Sequence, residues 1–357
     1  MRRNHRVAVI AGDGIGPEVV HEALRVLERL ASVEGFGIQL STYPFGAEHY
    51  LQSKEIFPES AFNEVRQHDA ILLGAIGDPR IEVGLLEFGI IAKMRFELDL
   101  FVNLRPVRLY AEHLCPLKDT RPEQVDFTVV RENTEDAYAG MRGFFKKGTA
   151  DEIATQEIIF TRKGVERVIR YAFELARSRP RKKLTLIDKA NAVRAMDLWT
   201  RVFAEVGAEY PDIKREHNYI DAACMYVVRN PEGFDTVVTS NMFGDIFTDL
   251  SAMIQGGLGI AASGNIHPGR VSLFEPIHGS APKYAGQNVA NPIAAIMAVQ
   301  MMLDYLGEKP AAARLEQAVA GLLRSRRLPS LGTDSGFGTR QIGDLVLGEL
   351  AGAEARA

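Results

Sequence analysis

The chain has 357 residues, 46% of them hydrophobic and 25% charged, with a net charge of −4 at pH 7. That length exceeds one compact core, so two domains are expected, while the mild acidity argues against nucleic acid or an anionic membrane as a partner. No apolar run is long enough to cross a bilayer, and two well-separated cysteines, Cys115 and Cys224, fit a reducing cytoplasm rather than a disulfide framework.

The opening "MRRNHRVAVIAG" has an apolar run that stops at a glycine-rich turn, so 6–12 reads as a strand and not as a signal peptide. The turn "GDGIGP" (12–17) suits backbone phosphate binding or a plain strand-to-helix connection, and it lacks the G-x-G-x-x-G spacing. A helix over 17–35 follows, with Pro17 in its first turn, then a buried strand over 70–77. In "MRFELDLFVNLRP" (94–106), Arg95 falls on a helix-like segment, whereas Arg105 precedes a proline and must leave it. Strands are expected over 127–133, 183–188 and 234–240, and helices over 161–179, 195–210, 291–307 and 309–326. Buried strands alternating with amphipathic helices predict an α/β fold with a large, mixed but substantially parallel sheet flanked by helices. No linker or repeat separates the domains, which are expected to interweave.

Several side chains in this frame have chemical potential. Arg95, Arg105 and Arg131 would form a receptor for two carboxylates if they converge; otherwise each is a surface cation. Lys189, in "LIDKANAVR" (186–194), follows a strand and could transfer a proton, or it could be solvated beside a capping Asp188. Asp221 opens an apolar helix, where an N-cap role is the simpler alternative. Asp245 and Asp249, in "NMFGDIFTDL" (241–250), lie on one helical face amid apolar neighbours. Hard oxygen ligands without histidine or cysteine suit Mg²⁺ or Mn²⁺. The competing arrangement pairs one aspartate with an arginine and turns the other to solvent.

Taken together, "GDGIGPE", "NLRP", "VVREN", "DKAN", "FGDIFTDL" and "FEPIHGSAPKYAGQNVANP" resemble the β-decarboxylating dehydrogenases of 3-substituted malates, over essentially the whole chain. That family includes isopropylmalate, isocitrate, homoisocitrate, tartrate and D-malate dehydrogenases. The resemblance implies an isopropylmalate dehydrogenase-like two-domain fold, with residues 1–104 and 260–357 on the cofactor side and 105–259 for dimerisation, metal and substrate. It implies that Arg95, Arg105 and Arg131 clamp the malate carboxylates. Tyr138 would protonate the enol left by decarboxylation, and Lys189 would help remove the hydroxyl proton. Asp221, Asp245 and Asp249 would hold the divalent metal. It also implies a homodimer in which Lys189 and Asp221 reach the neighbouring subunit's active site. A non-catalytic regulatory subunit would be expected to lose some of these residues, and this chain retains them all.

The segment preceding Arg95, "LEFGIIAKM" (86–94), presents Ile90, Ile91 and Ala92 where isocitrate enzymes carry polar groups. Ile91 and Ala92 are therefore expected beside an apolar substituent such as isopropyl, with D-malate or tartrate as alternative substrates. Glu275, His278, Gly279, Ser280, Ala281 and Asn291 are the cofactor contacts that the resemblance implies. Lys283 and Tyr284 stand where NAD-preferring members carry an aspartate and an aliphatic residue, so NAD use with NADP tolerance is expected.

Overall fold

A computed structural model describes residues 3–354. In chain order the elements begin with β1 (Asn4–Gly12), α1 (Gly16–Glu34), β2 (Gly37–Tyr43), α2 (Ala47–Ser53), α3 (Glu59–Val65) and β3 (Ala70–Ala75). A π-helical turn, Glu87–Ala92, runs directly into α4 (Lys93–Glu97). The middle of the chain forms β4 (Val102–Arg108), β5 (Asp126–Glu132), β6 (Arg142–Phe145), β7 (Ile153–Gln156), α5 (Arg162–Ser178), β8 (Lys183–Asp188) and α6 (Asp197–Gly207). Then come β9 (Lys214–Tyr219), α7 (Ile220–Arg229), β10 (Thr236–Thr239) and α8 (Asn241–Ile254). The chain closes with β11 (Ala262–Ile266), β12 (Ser272–Pro276), α9 (Ile293–Tyr305), α10 (Lys309–Arg324) and α11 (Thr339–Glu354).

Two compact units result. The first comprises the described parts of Met1–Leu100, Leu109–Pro122 and Ala252–Ala357; the second comprises Phe101–Arg108 and Glu123–Ser251.

In the first unit the strands run β2-β1-β3-β12-β11, parallel except for the last pair. Helix α1 buries Val19, Val20, Ala23, Val26, Leu27 and Leu30, the spacing of a single apolar stripe, and ends at Gly35 with φ 75°. Helix α9 is buried over nearly its whole length because it packs against β11 and β12 as well as α1 and α10. A second apolar cluster joins Phe45, Phe57 and Phe62 to Ile71, Leu73, Ile90 and Met94.

In the second unit the order is β4-β5-β10-β8-β9, parallel except for β4 against β5. Thr161 caps α5 by accepting the Gly164 amide, and Phe173 from that helix stacks on Phe203 of α6 and on Tyr210. Strands β6 and β7 form a separate antiparallel hairpin. Both units therefore show the expected fold class, a mixed and mostly parallel sheet flanked by helices. Strand β9 ("KREHNY") was not foreseen: an edge strand covered on one side alone can be almost wholly polar. Among the described residues, no helix is long and apolar enough to cross a membrane.

Candidate active site

Strands β4 and β5 of the second unit bring Arg105 and Arg131 to the start of α8, which follows β10 in the chain. Arg131, on β5, donates from Nη1 to Asp245 Oδ1 at 2.6 Å and from Nε to Asn241 Oδ1 at 3.0 Å. Arg105, on β4, donates to the same Asp245 oxygen at 3.2 Å, to Thr248 Oγ1 at 2.6 Å and to Asn103 Oδ1 at 2.7 Å. Both guanidinium groups are buried, while the Asp245 and Asp249 side chains are 36% and 58% exposed. A carbon added at Gly244 would lie 2.5 Å from Arg131 Cγ, so only glycine lets this arginine cross the first turn of α8.

Tyr138 completes the cluster. Its hydroxyl donates to Asp245 Oδ2 at 3.2 Å, and Arg131 lies 5.6 Å from its ring centroid. Burial raises the Tyr138 pKa, the Asp245 charge raises it further, and Arg131 opposes both. The phenol therefore keeps its proton at neutral pH and can serve as a donor. Burial likewise raises the Asp249 pKa, with repulsion from Asp245 next and the two arginines in opposition.

The loop carrying Tyr138 is held by carboxylates. Glu132 accepts the amides of Thr134 and Glu135, and the buried Asp136, at φ 73°, accepts the Met242 amide at the head of α8. Glu135 accepts the Thr161 amide, and its backbone carbonyl accepts Asn241 Nδ2.

Lys189 lies in the turn after β8 and bonds Asp221 at 2.7 Å. Asp221 is not the N-cap of α7. That position is Tyr219, and no side chain caps the helix, so the aspartate in the first turn turns to the lysine instead. Asp188 likewise caps no helix: fully buried, it accepts the Ala190 amide at 3.0 Å in a turn.

In the first unit, Arg95 donates to Glu275 Oε1 at 3.0 Å, and Asn265 donates to the same oxygen at 2.8 Å. Ile90 is fully buried in the apolar cluster, and Ile91 packs against it from the π-helical turn. The Ile15 amide donates to the Ser280 carbonyl at 2.8 Å, and Gly14 passes so close that a Cβ would stand 1.9 Å from that oxygen. Ser280 Oγ donates to the Gly77 carbonyl at 2.6 Å. His278 Nδ1 lies 3.0 Å from the Gly279 carbonyl, while its buried Nε2 has no partner among the described residues. Ala281 adopts φ 39°, and Lys283 extends over the Tyr284 ring at 4.6 Å. Asn291 accepts the Ile293 amide, so α9 starts at 293, two residues later than the sequence pattern indicates.

The family whose description reads "Isocitrate/isopropylmalate dehydrogenase" matches residues 6–346. The chain belongs to this family. It is thus an enzyme, a decarboxylating dehydrogenase. A relative described as 3-isopropylmalate dehydrogenase from Thermobifida fusca is 50% identical over 352 residues, 98% of each chain. Another of that description, from Frankia casuarinae, is 48% identical over 97% of this chain and 100% of its own. A solved structure described as isocitrate dehydrogenase from Methylococcus capsulatus superposes with a TM-score of 0.87 at 37% identity, covering 97% of this chain and 99% of that one.

Family membership leaves the donor sets to be tested against the residues themselves. Asp245 and Asp249 offer oxygen donors alone, and the nearest guanidinium the structure gives Asp249, that of Arg105, stands 3.6 Å away, with Arg131 acting on its charge from further off. That fits a hard divalent cation. Among the described residues no three His, Cys, Asp or Glu side chains come together as a metal-holding group, and Asp221 is paired with Lys189. The unpartnered His278 nitrogen and the close backbone approach at Gly14 fit a dinucleotide on the first unit. Sequence reasoning passed over Asn241, Gly244, Asp136 and Asn103. Of these only Gly244 carried a signal, as a glycine inside an otherwise regular helical pattern.

Proposed function

We propose that this member of the family oxidises and decarboxylates 3-isopropylmalate to 4-methyl-2-oxopentanoate and CO₂ with reduction of NAD, in leucine biosynthesis. The observation that carries the reading is the set of Arg105, Arg131 and Tyr138 gathered on Asp245, one helical turn from Asp249. Arg105 and Arg131, with Arg95, are assigned to the substrate carboxylates, because a planar guanidinium meets a carboxylate through two parallel hydrogen bonds. Asp245 and Asp249 would hold Mg²⁺ or Mn²⁺ with Asp221 of the partner subunit. When bound, the cation would supply Lewis acidity at the substrate hydroxyl and the nicotinamide would serve as the hydride acceptor. Lys189 and Asp221, paired at 2.7 Å, are assigned to removing the hydroxyl proton in the neighbouring subunit's site, the amine acting in its unprotonated form, and Tyr138 would return a proton to the carbon that loses CO₂.

Ile91 and Ala92 are assigned to the apolar substituent. Glu275, His278, Gly279, Ser280, Ala281, Lys283, Tyr284 and Asn291 are assigned to the cofactor, with NADP tolerated because Lys283 repels no 2′-phosphate. A homodimer with shared sites is supported by exposed apolar side chains on the β6–β7 hairpin (Phe144, Phe145, Ile153) and on α7 (Met225, Tyr226, Val228). A cytoplasmic setting accords with two free cysteines.

The test is kcat/KM of the purified chain with Mg²⁺ for 3-isopropylmalate, D-malate, tartrate and isocitrate, each with NAD and NADP. Burial of about 0.8 kcal/mol per carbon predicts a preference for isopropylmalate over D-malate on the order of 50-fold. A preference for tartrate or isocitrate would overturn the substrate assignment, and a strong preference for NADP would show that Lys283 sets the cofactor choice.

A further inference from the structure

We propose that His217 is a positioning residue for Lys189, acting through the buried carboxylate of Asp188. The inference rests on the reading of Lys189 given above. Strands β8 and β9 run parallel with Leu186 opposite His217 and Asp188 opposite Tyr219, so the imidazole reaches the end of β8 just before the lysine. Its Nε2 lies 3.0 Å from Asp188 Oδ1, which also accepts the Ala190 amide at 3.0 Å. Asp188 is fully buried, and its Oδ2 has no partner among the described residues.

A carboxylate can only accept here, so Nε2 must carry a hydrogen. One hydrogen bond on each flank of Lys189, to the imidazole before it and to the Ala190 amide after it, thus fixes the carboxylate that sets the turn. The turn itself is closed by the amides of Ala192 and Val193 on the Lys189 carbonyl, at 2.9 and 2.8 Å. A second route runs through Tyr219, whose ring meets the imidazole edge-on at 5.2 Å and lies 6.0 Å from the Lys189 ammonium.

The charged groups surrounding this arrangement are otherwise engaged. Glu216, beside His217 on β9, is bonded by Lys183 and Lys214, and Asp221, from α7, is bonded by Lys189. Asp188 is therefore the carboxylate that faces the imidazole. Hydrogen bonding and charge from Asp188 raise the His217 pKa against the effect of burial, which is the direction expected for a donor committed to a buried anion.

The test compares two substitutions of similar size. His217→Gln keeps a donor within reach of Asp188, and His217→Met does not. With 3-isopropylmalate, Mg²⁺ and NAD, the methionine variant is expected to lose kcat on the order of 10- to 100-fold with both KM values within about twofold, and the glutamine variant to recover most of it. In the wild-type protein the His217 Cε1 proton is expected to titrate by NMR above the free histidine value of about 6.5. Equal turnover in the two variants, or titration at or below the free value, would overturn the proposal. Should the methionine variant fail to fold, the titration and the glutamine variant decide it. A Lys189→Ala enzyme that kept wild-type turnover would instead remove the catalytic reading of Lys189. An inactive Lys189→Ala enzyme beside a fully active His217→Met enzyme would remove this inference alone.

Discussion

At the residue scale the cluster around Asp245 joins opposite charges with unequal exposure. Two buried guanidinium groups meet one half-exposed carboxylate, leaving Asp249 the less compensated anion. The arrangement in one chain is the one in which arginine neutralises an aspartate, so the paired carboxylates do not require a metal ion merely to coexist. The proposed cation would have a chemical task instead. Tyr138→Phe removes the proton donor while keeping the ring against Arg131, and kcat for the full reaction is expected to fall on the order of 10²–10⁴-fold with little change in substrate KM. Gly244→Ala would push Arg131 aside by steric overlap at 2.5 Å, so it is expected to raise the substrate KM by at least about tenfold, measured against a wild-type cofactor KM. The charged residues of this cluster were legible in the sequence because their spacing within the motifs is distinctive. Asn241 and Asp136 were not, because what they do depends on a loop and a helix start meeting across about a hundred residues of chain.

At the element scale, the loop between β5 and the β6–β7 hairpin positions Tyr138, and Glu132 anchors it from a fully buried site. Burial pushes the Glu132 carboxyl up to about 7 from 4.5, against the hydrogen bonds it accepts from Thr134 and Glu135. The fold thus favours the neutral acid. Its contribution to stability is complete below the unfolded value of 4.5 and is lost as pH rises through about 7. Glu132→Gln is expected to flatten that fall, measured as the difference in Tm between the variant and the wild type across this window. An unchanged slope would remove Glu132 as its source. The strands and helices that the sequence pattern delimited lie within about three residues of their observed bounds, whereas β2, β4, β11, β12 and α11 were not delimited. The polar edge strand β9 and the π-helical turn before Arg95 were not readable: neither pattern differs from a solvated loop until neighbouring elements are packed against it.

At the scale of the whole molecule, the chain places Lys189 with Asp221 and Tyr138 with Asp245, and among the described residues no three-carboxylate cluster forms. If two copies complete each site, a mixture of Lys189→Ala and Asp245→Asn chains, separately inactive, is expected to regain activity once co-refolded. In each mixed dimer one site would combine an intact Asp245 with an intact Lys189. Continued inactivity of a verified mixed dimer would mean that the sites are not shared. The fold class and family were legible from motif order along nearly the entire chain. The homodimer that the resemblance implies remains a proposal, because an exposed apolar face reads the same in a sequence whether it is covered by a second copy or left to water.

The most direct measurement is anomalous diffraction from crystals of the dimer grown with Mn²⁺ and 3-isopropylmalate. The account predicts one manganese peak per site, within about 2.0–2.4 Å of oxygens from Asp245, Asp249 and Asp221 of the partner subunit and from the substrate. A bound substrate with no manganese at these aspartates, or manganese held elsewhere, would contradict it.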